Sequence, residues 1–325
     1  MKRRFLVLLI LIAASGCVFT GQTLKFRDFS EVNLPGTYER TISWNGLDRT
    51  YAVHVPECVQ DNQPLPVVLM FHGGGGTAKG VSRDAGWKEK ADQECFMVIF
   101  PDGVPPDPQK PASLTSNPQT WNDGSERFNQ EIDDVGFIAW ILETVINEFR
   151  VDRSRIYAAG FSNGASLAFL VGIELNETIA AIAPVAGALW IEDFGLESPV
   201  SLLYITGTED PLNPIDGGVP GLAIGDGEPG GGTAKPAVEE YIQLWTGALA
   251  CESQPEIFTS AEGIMKSHFN QCRDTAEVVY YALEGVGHHW PGGKVRLPEM
   301  LVGKSTDVMN ATEVIWDFFE DHPKP

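Results

Sequence analysis

A chain of 325 residues in which 43% are hydrophobic and 21% charged has enough apolar surface to offset the entropy of folding, which excludes wholesale disorder. Its 23 Lys and Arg stand against 44 Asp and Glu, a formal net charge of −21, and so acidic a surface repels phosphate backbones. Nucleic acid is therefore excluded as a partner.

The chain opens with Lys2, Arg3 and Arg4, then an unbroken apolar run over residues 5–14, then Ser15, Gly16 and Cys17. A basic start, a short apolar stretch and small residues predict a signal peptide over residues 1–16, because ten apolar residues are too few to span a bilayer. The small-small-Cys ending resembles a bacterial lipobox. It implies a lipid on Cys17 and a membrane-anchored protein facing the periplasm or the cell exterior, with plain secretion as the alternative. Residues 17–36 are mixed and polar and suit a tether, which leaves 37–325 as one folded domain. Setting Cys17 aside leaves Cys58, Cys95, Cys251 and Cys272, an even number, and disulfides persist in exported proteins. Of the three pairings, Cys58 with Cys95 and Cys251 with Cys272 are favoured, since each pair brackets one structural unit.

The first predicted elements are alternating stretches over 38–44 and 49–55, joined by Asn45 and Gly46 as an antiparallel hairpin. Short apolar runs follow at 67–71, 97–100, 156–159, 180–184, 202–205 and 278–282, several unbroken in the manner of buried parallel strands. Helical periods lie between them. The clearest places Val135, Ile138, Ile141, Leu142, Val145, Ile146 and Phe149 on one face, and others cover 162–175, 237–247 and 311–319. Strand and helix in alternation predict an α/β architecture: a mainly parallel sheet flanked by helices, with no separate cap domain. Two stretches, 105–120, rich in Pro, Ser and Gln, and 212–235, rich in Gly and Pro, break the rhythm and read as walls of a functional cleft.

The chemistry gathers around Gly160-Phe161-Ser162-Asn163-Gly164, a G-x-S-x-G placed directly between a strand and a helix. That context is the nucleophile elbow of the α/β-hydrolase fold, whose chain order is Ser, then an acid, then His. Asp210 follows the 202–205 strand, with Glu209 as the adjacent carboxylate. His288 follows the 278–282 strand, and chain order alone does not separate it from His289. His72 and Gly73–Gly76 after the 67–71 strand resemble the loop that frees backbone N–H groups for an oxyanion. Gly74, with Gly73 as alternative, and Asn163 are the expected N–H donors, and His72 is expected to hold the loop. Trp121 and Trp290 are candidate apolar walls for a substrate ring. Gly225, Gly227 and Gly230 spell G-x-G-x-x-G without the strand a dinucleotide site needs, Gly303-Lys304-Ser305 lacks the leading glycine of a phosphate loop, and there is no H-E-x-x-H. Neither a metal nor an organic cofactor is expected.

Taken together, FHGGGG, FPDGV, DDVGF, YAAGFSNGASLAF, AAIAPVAG, TGTEDP and GVGHHWPGG resemble the secreted polyhydroxybutyrate depolymerase family of esterases, itself similar to the feruloyl and acetyl xylan esterases of carbohydrate esterase family one. The resemblance runs from about Tyr38 to Phe319. It implies Ser162 as nucleophile, Asp210 as acid and His288, rather than His289, as base. It further implies an α/β-hydrolase catalytic domain over 37–325, and hydrolysis of carboxylic esters through an acyl-enzyme. The substrates it implies are oligomeric or polymeric: hydroxyalkanoate oligoesters, or feruloyl and acetyl esters on polysaccharide. A peptidase of the same fold and a non-catalytic glycan-binding surface lipoprotein are the alternative readings.

Overall fold

The N-terminal hairpin forms as expected from strands β1 (Gly36–Trp44) and β2 (Leu47–Val55), paired antiparallel from Gly36 opposite Val55 to Trp44 opposite Leu47. Asn45 and Gly46 both have positive φ, 49° and 81°, which gives the tight turn a twist that matches its strands. The computed structural model describes residues 34–325 apart from 60–62, 115, 126, 221–232, 253 and 296. The signal peptide, Cys17 and most of the tether lie outside the described residues, as do Gly225, Gly227 and Gly230. No helix among the described residues is long and apolar enough to cross a membrane.

The hairpin is one wing of a ten-stranded sheet in the order β1-β2-β4-β3-β5-β6-β7-β10-β9-β8. Its centre is β3 (Leu65–Phe71), β4 (Met97–Pro101), β5 (Val151–Phe161), β6 (Ala181–Val185), β7 (Ser201–Gly207) and β10 (Val278–Leu283), all paired in parallel. Every residue of β3 is buried. Val67, Leu69 and Phe71 face one core, Val68 and Met70 the other, which is why the sequence reads there as a continuous apolar run. Helices α3 (Asp134–Glu148), α4 (Asn163–Glu174) and α5 (Val238–Ala248) cover the first face. The second is covered by α2 (Trp87–Glu94) and α7 (Ala311–Asp321), the latter through Ile315, Trp316 and Phe319.

Five of the α-helices and strands were not anticipated, α2 among them. Helix α1 (Ala78–Asp84), like α2, is short and mostly polar, and is started by Thr77, whose hydroxyl accepts the Gly80 N–H at 3.0 Å. The antiparallel edge strands β8 (Glu256–Thr259) and β9 (Ile264–Phe269) carry little apolar alternation because β8 is exposed along its whole length. The single turn α6 (Glu299–Val302) follows the second histidine of the GHHW run.

Cys58 is bonded to Cys95 and Cys251 to Cys272, the favoured pairing in both cases. The first ties the end of β2 to the end of α2, and the second ties the end of α5 to the turn ahead of β10. Both fit a chain that folds in an oxidising compartment. The Cys251–Cys272 bridge lies before the first residue of β10, a strand of about 20 Å, whereas His288 lies beyond the last. Reduction should therefore lower Tm, since closing a loop of 21 residues contributes about 3 kcal/mol, while leaving kcat at moderate temperature nearly untouched. Thermal melts and activity with and without reductant check this; a kcat that falls at temperatures where the protein stays folded is the contrary result.

Candidate active site

Ser162 stands at the carboxyl end of β5 with φ 56° and ψ −122°, a conformation open mainly to glycine. The turn is this sharp because strand and helix meet with no room between them. A Cβ on Gly160 would lie 2.1 Å from Gly164 O, and one on Gly164 would lie 2.4 Å from His72 O and 2.5 Å from Phe71 O. The G-x-S-x-G spacing thus follows from the close approach of β5, α4 and the end of β3.

Asp210, three residues past β7, and His288, five past β10, are brought to the same edge of the sheet, where ligands of open α/β folds collect. His288 Nδ1 lies 2.7 Å from Asp210 Oδ2, and its Nε2 lies 2.8 Å from Ser162 Oγ. An ionised carboxylate can only accept, so Nδ1 carries the proton and Nε2 is left to accept from the serine hydroxyl. Asp210 Oδ1 accepts the N–H groups of Leu212 and Asn213, each at 2.8 Å. Burial alone would raise the Asp210 pKa, but His288 and these two N–H groups outweigh it and hold the carboxyl below its ordinary range. Glu209 takes no part in the chain. His289 points elsewhere: its Nε2 donates to Gly303 O at 2.9 Å and pins the segment after α6.

Across from the elbow, His72 is almost fully buried between two backbone groups. Its Nε2 accepts the Gly103 N–H at 3.0 Å and its Nδ1 donates to Gly73 O at 2.8 Å, which fixes a neutral tautomer. Burial, aided by the Arg49 charge, pushes its pKa down against the pull of Gly73 O and Asp102, in keeping with a structural role. The Gly75 N–H goes to Gln119 O and the Gly76 N–H to Gly73 O. The N–H groups of Gly74 and Asn163 donate to no acceptor among the described residues, and a Cβ on Gly74 would stand 3.9 Å from Asn163 Cβ, so the two residues lie side by side.

Trp121 corrects the expectation of a ring at the rim. It is wholly buried, its indole N–H donates to His72 O at 2.8 Å, and its backbone N–H donates to Asn163 Oδ1 at 2.8 Å. The side chain has no surface to offer a ligand; it braces the glycine loop against the first turn of α4. Trp290 is half-buried, with its indole N–H on Thr312 Oγ1 at 3.1 Å and its ring edge-on to Trp87, contacts that set it into the core of the second face. Asp123, which no motif announced, is buried and accepts Asn163 Nδ2 at 2.7 Å. Asn213 joins the base of the acid turn to Tyr204 OH at 2.9 Å, and that hydroxyl donates to Gly187 O at 2.7 Å.

A mainly parallel sheet with a strained serine at a strand-to-helix elbow, an acid after a later strand and a histidine after the last parallel strand define an α/β-hydrolase. The chain matches the esterase PHB depolymerase family over residues 49–225, more than half its length, and belongs to that family. The match takes in Ser162 and Asp210. Over 297 residues the chain is 26% identical to the protein named "Putative esterase NocK" of Nocardia uniformis subsp. tsuyamanensis, covering 87% of this chain and 82% of that one. It is also 26% identical over 208 residues to feruloyl esterase C of Emericella nidulans, covering 60% of this chain and 70% of the relative. Among solved structures, the acetyl xylan esterase from Aspergillus awamori superposes with a TM-score of 0.52 at 15% identity, over 77% of this chain and 94% of that one, a likeness of fold. The protein is a carboxylic ester hydrolase.

Proposed function

We propose that Ser162, His288 and Asp210 form the catalytic triad of this esterase and that hydrolysis passes through an acyl-enzyme. The observation that carries the reading is the unbroken hydrogen-bond chain from Asp210 Oδ2 through His288 to Ser162 Oγ. Ser162 Oγ attacks the ester carbonyl as His288 Nε2 takes its proton. His288 then returns that proton to the leaving alcohol, and water repeats the sequence to free the acid. Asp210 holds the imidazole in the tautomer the attack requires and stabilises the imidazolium. The Gly74 and Asn163 N–H groups receive the developing oxyanion.

The substrates we assign are acyl esters of larger alcohols: hydroxyalkanoate oligoesters, as the family name suggests, or feruloyl and acetyl esters of polysaccharide, as the names of its relatives suggest. A side-by-side panel of 4-nitrophenyl acyl esters, methyl ferulate, acetylated xylan and hydroxybutyrate oligomers tests this. Release of ferulate or acetate in clear preference places the enzyme with the carbohydrate esterases, and release of hydroxy acids with the depolymerases. Failure of a folded sample to cleave any ester would sink the triad reading. For localisation we propose export with a lipid on Cys17, supported by the sequence at residues 1–17 and by the two disulfides. Cys17→Ser should move the protein from the detergent phase to the aqueous phase in a phase-partition experiment; unchanged partition counts against the anchor.

A further inference from the structure

Two cations lie close to residues that adjoin the triad, and neither donates a hydrogen bond to a carboxylate among the described residues. Arg127 lies in the loop between β4 and α3, its side chain 22% exposed, its guanidinium 4.7 Å above the Trp190 ring and 5.2 Å from the Phe128 ring. Its Nε donates to Ser125 Oγ at 3.2 Å. The nearest carboxylate oxygen, Asp123 Oδ2, is 3.8 Å from the guanidinium, too far for a hydrogen bond. That oxygen is taken by Asn163 Nδ2, and Asp123 Oδ1 by the N–H and hydroxyl of Ser125.

Lys235 closes the long loop after Asp210, its backbone fixed by two hydrogen bonds to Gly218. Its Nζ donates to Asn213 Oδ1 at 3.0 Å. Asp210, the other carboxylate within electrostatic reach, has its oxygens occupied by His288, Leu212 and Asn213. Burial and then the repulsion of Arg127 lower the Lys235 pKa to about 8, despite Asp210 and Asp123, and burial lowers that of Arg127 despite Asp123. Trp190 Nε1 is a further shielded donor with no partner among the described residues.

Asp123 accepts from Asn163, the residue after the nucleophile, and the Asn213 N–H donates to the acid, so each cation is one contact away from a residue that touches the elbow or the acid. We propose that Arg127 and Lys235 form a subsite for a carboxylate carried elsewhere on the ester substrate. A free carboxylate would supply an acceptor within hydrogen-bond distance, which neither Asp123 nor Asp210 does, and a guanidinium presents the fork that matches a planar anion. A molecule with a net charge of −21 repels an anionic ester at long range, so such a substrate binds only where local cations prevail. The inference rests on Ser162 being the nucleophile.

The test uses two esters with a free carboxylate, the 3-hydroxybutyrate dimer and the mono-4-nitrophenyl ester of adipic acid, each beside the primary amide of the same skeleton. The first carries its charge on the alcohol side, the second on the acyl side. In at least one pair kcat/KM should favour the carboxylate by about fivefold or more, chiefly through KM. Arg127→Met and Lys235→Met should each bring that ratio toward one, while Lys235→Arg should keep it. A ratio near or below one in both pairs, or a preference that both Met variants retain, overturns the subsite. Turnover of the neutral amides by the same sample keeps this failure distinct from a failure of the triad.

Discussion

Replacing Ser162 by Ala is expected to lower kcat between about 10³ and 10⁶-fold with Tm little changed or raised, because in the proposed mechanism its Oγ forms the acyl bond. His288→Ala should lose nearly as much, since its Nε2 lies 2.8 Å from Ser162 Oγ and no other base reaches it among the described residues. His289→Ala should behave differently. That side chain holds Gly303 O, so its loss should appear in Tm more than in kcat. Steady-state rates on 4-nitrophenyl acetate, with circular dichroism to show folding, decide the matter. Most of the activity surviving in folded Ser162→Ala, or His289→Ala proving the more damaging histidine change, would overturn the assignment.

Gly164→Ala should be strongly destabilising. The new Cβ would meet His72 O at 2.4 Å and Phe71 O at 2.5 Å, and both are backbone atoms at the end of a buried strand, so no side-chain rotation relieves the clash. Either β3 and α4 move apart or the elbow opens, at a cost of about 3 kcal/mol or more. Because His72 is followed by the glycine loop, the same shift should pull the Gly74 N–H away from that of Asn163 and depress kcat in whatever fraction folds. Gly247→Ala is the internal comparison. That glycine lies in α5 with nothing within 4 Å of a Cβ, and Ala there should raise stability by about 0.4–1 kcal/mol. Equal melting temperatures for the two variants would show that the packing at Gly164 is looser than described.

The parallel strands and the elbow were legible because their signals are local. A strand buried on both faces must be apolar throughout, and the elbow needs small residues at fixed offsets from Ser162. The convergence of Asp210 and a histidine on the elbow was legible through chain order, but the choice between His288 and His289 rests on which imidazole faces the elbow, and adjacent residues give no hint of that. Trp121 was misjudged because a tryptophan closing a long polar loop looks like a rim residue. Its two inward hydrogen bonds, to His72 O and Asn163 Oδ1, join segments some 40 to 50 residues apart and leave no trace in composition. Asp123, Arg127 and Lys235 were invisible for the same reason, their meaning residing in loop paths rather than in spacing. Strands β8 and β9 escaped notice because an exposed edge lacks the one-sided burial that creates a period of two.

The positive φ of Ser162 places stability and turnover in opposition at a single residue. A backbone at φ 56° and ψ −122° costs a side-chain-bearing residue about 1–3 kcal/mol, a strain that glycine does not feel. Ser162→Gly should therefore melt above Ser162→Ala, even though glycine also enlarges the unfolded ensemble by about 0.4–1 kcal/mol. Drift toward thermostability at this position leads to an inert protein. The native chain accepts a less durable fold so that an oxygen can stand where the backbone is best suited to a hydrogen.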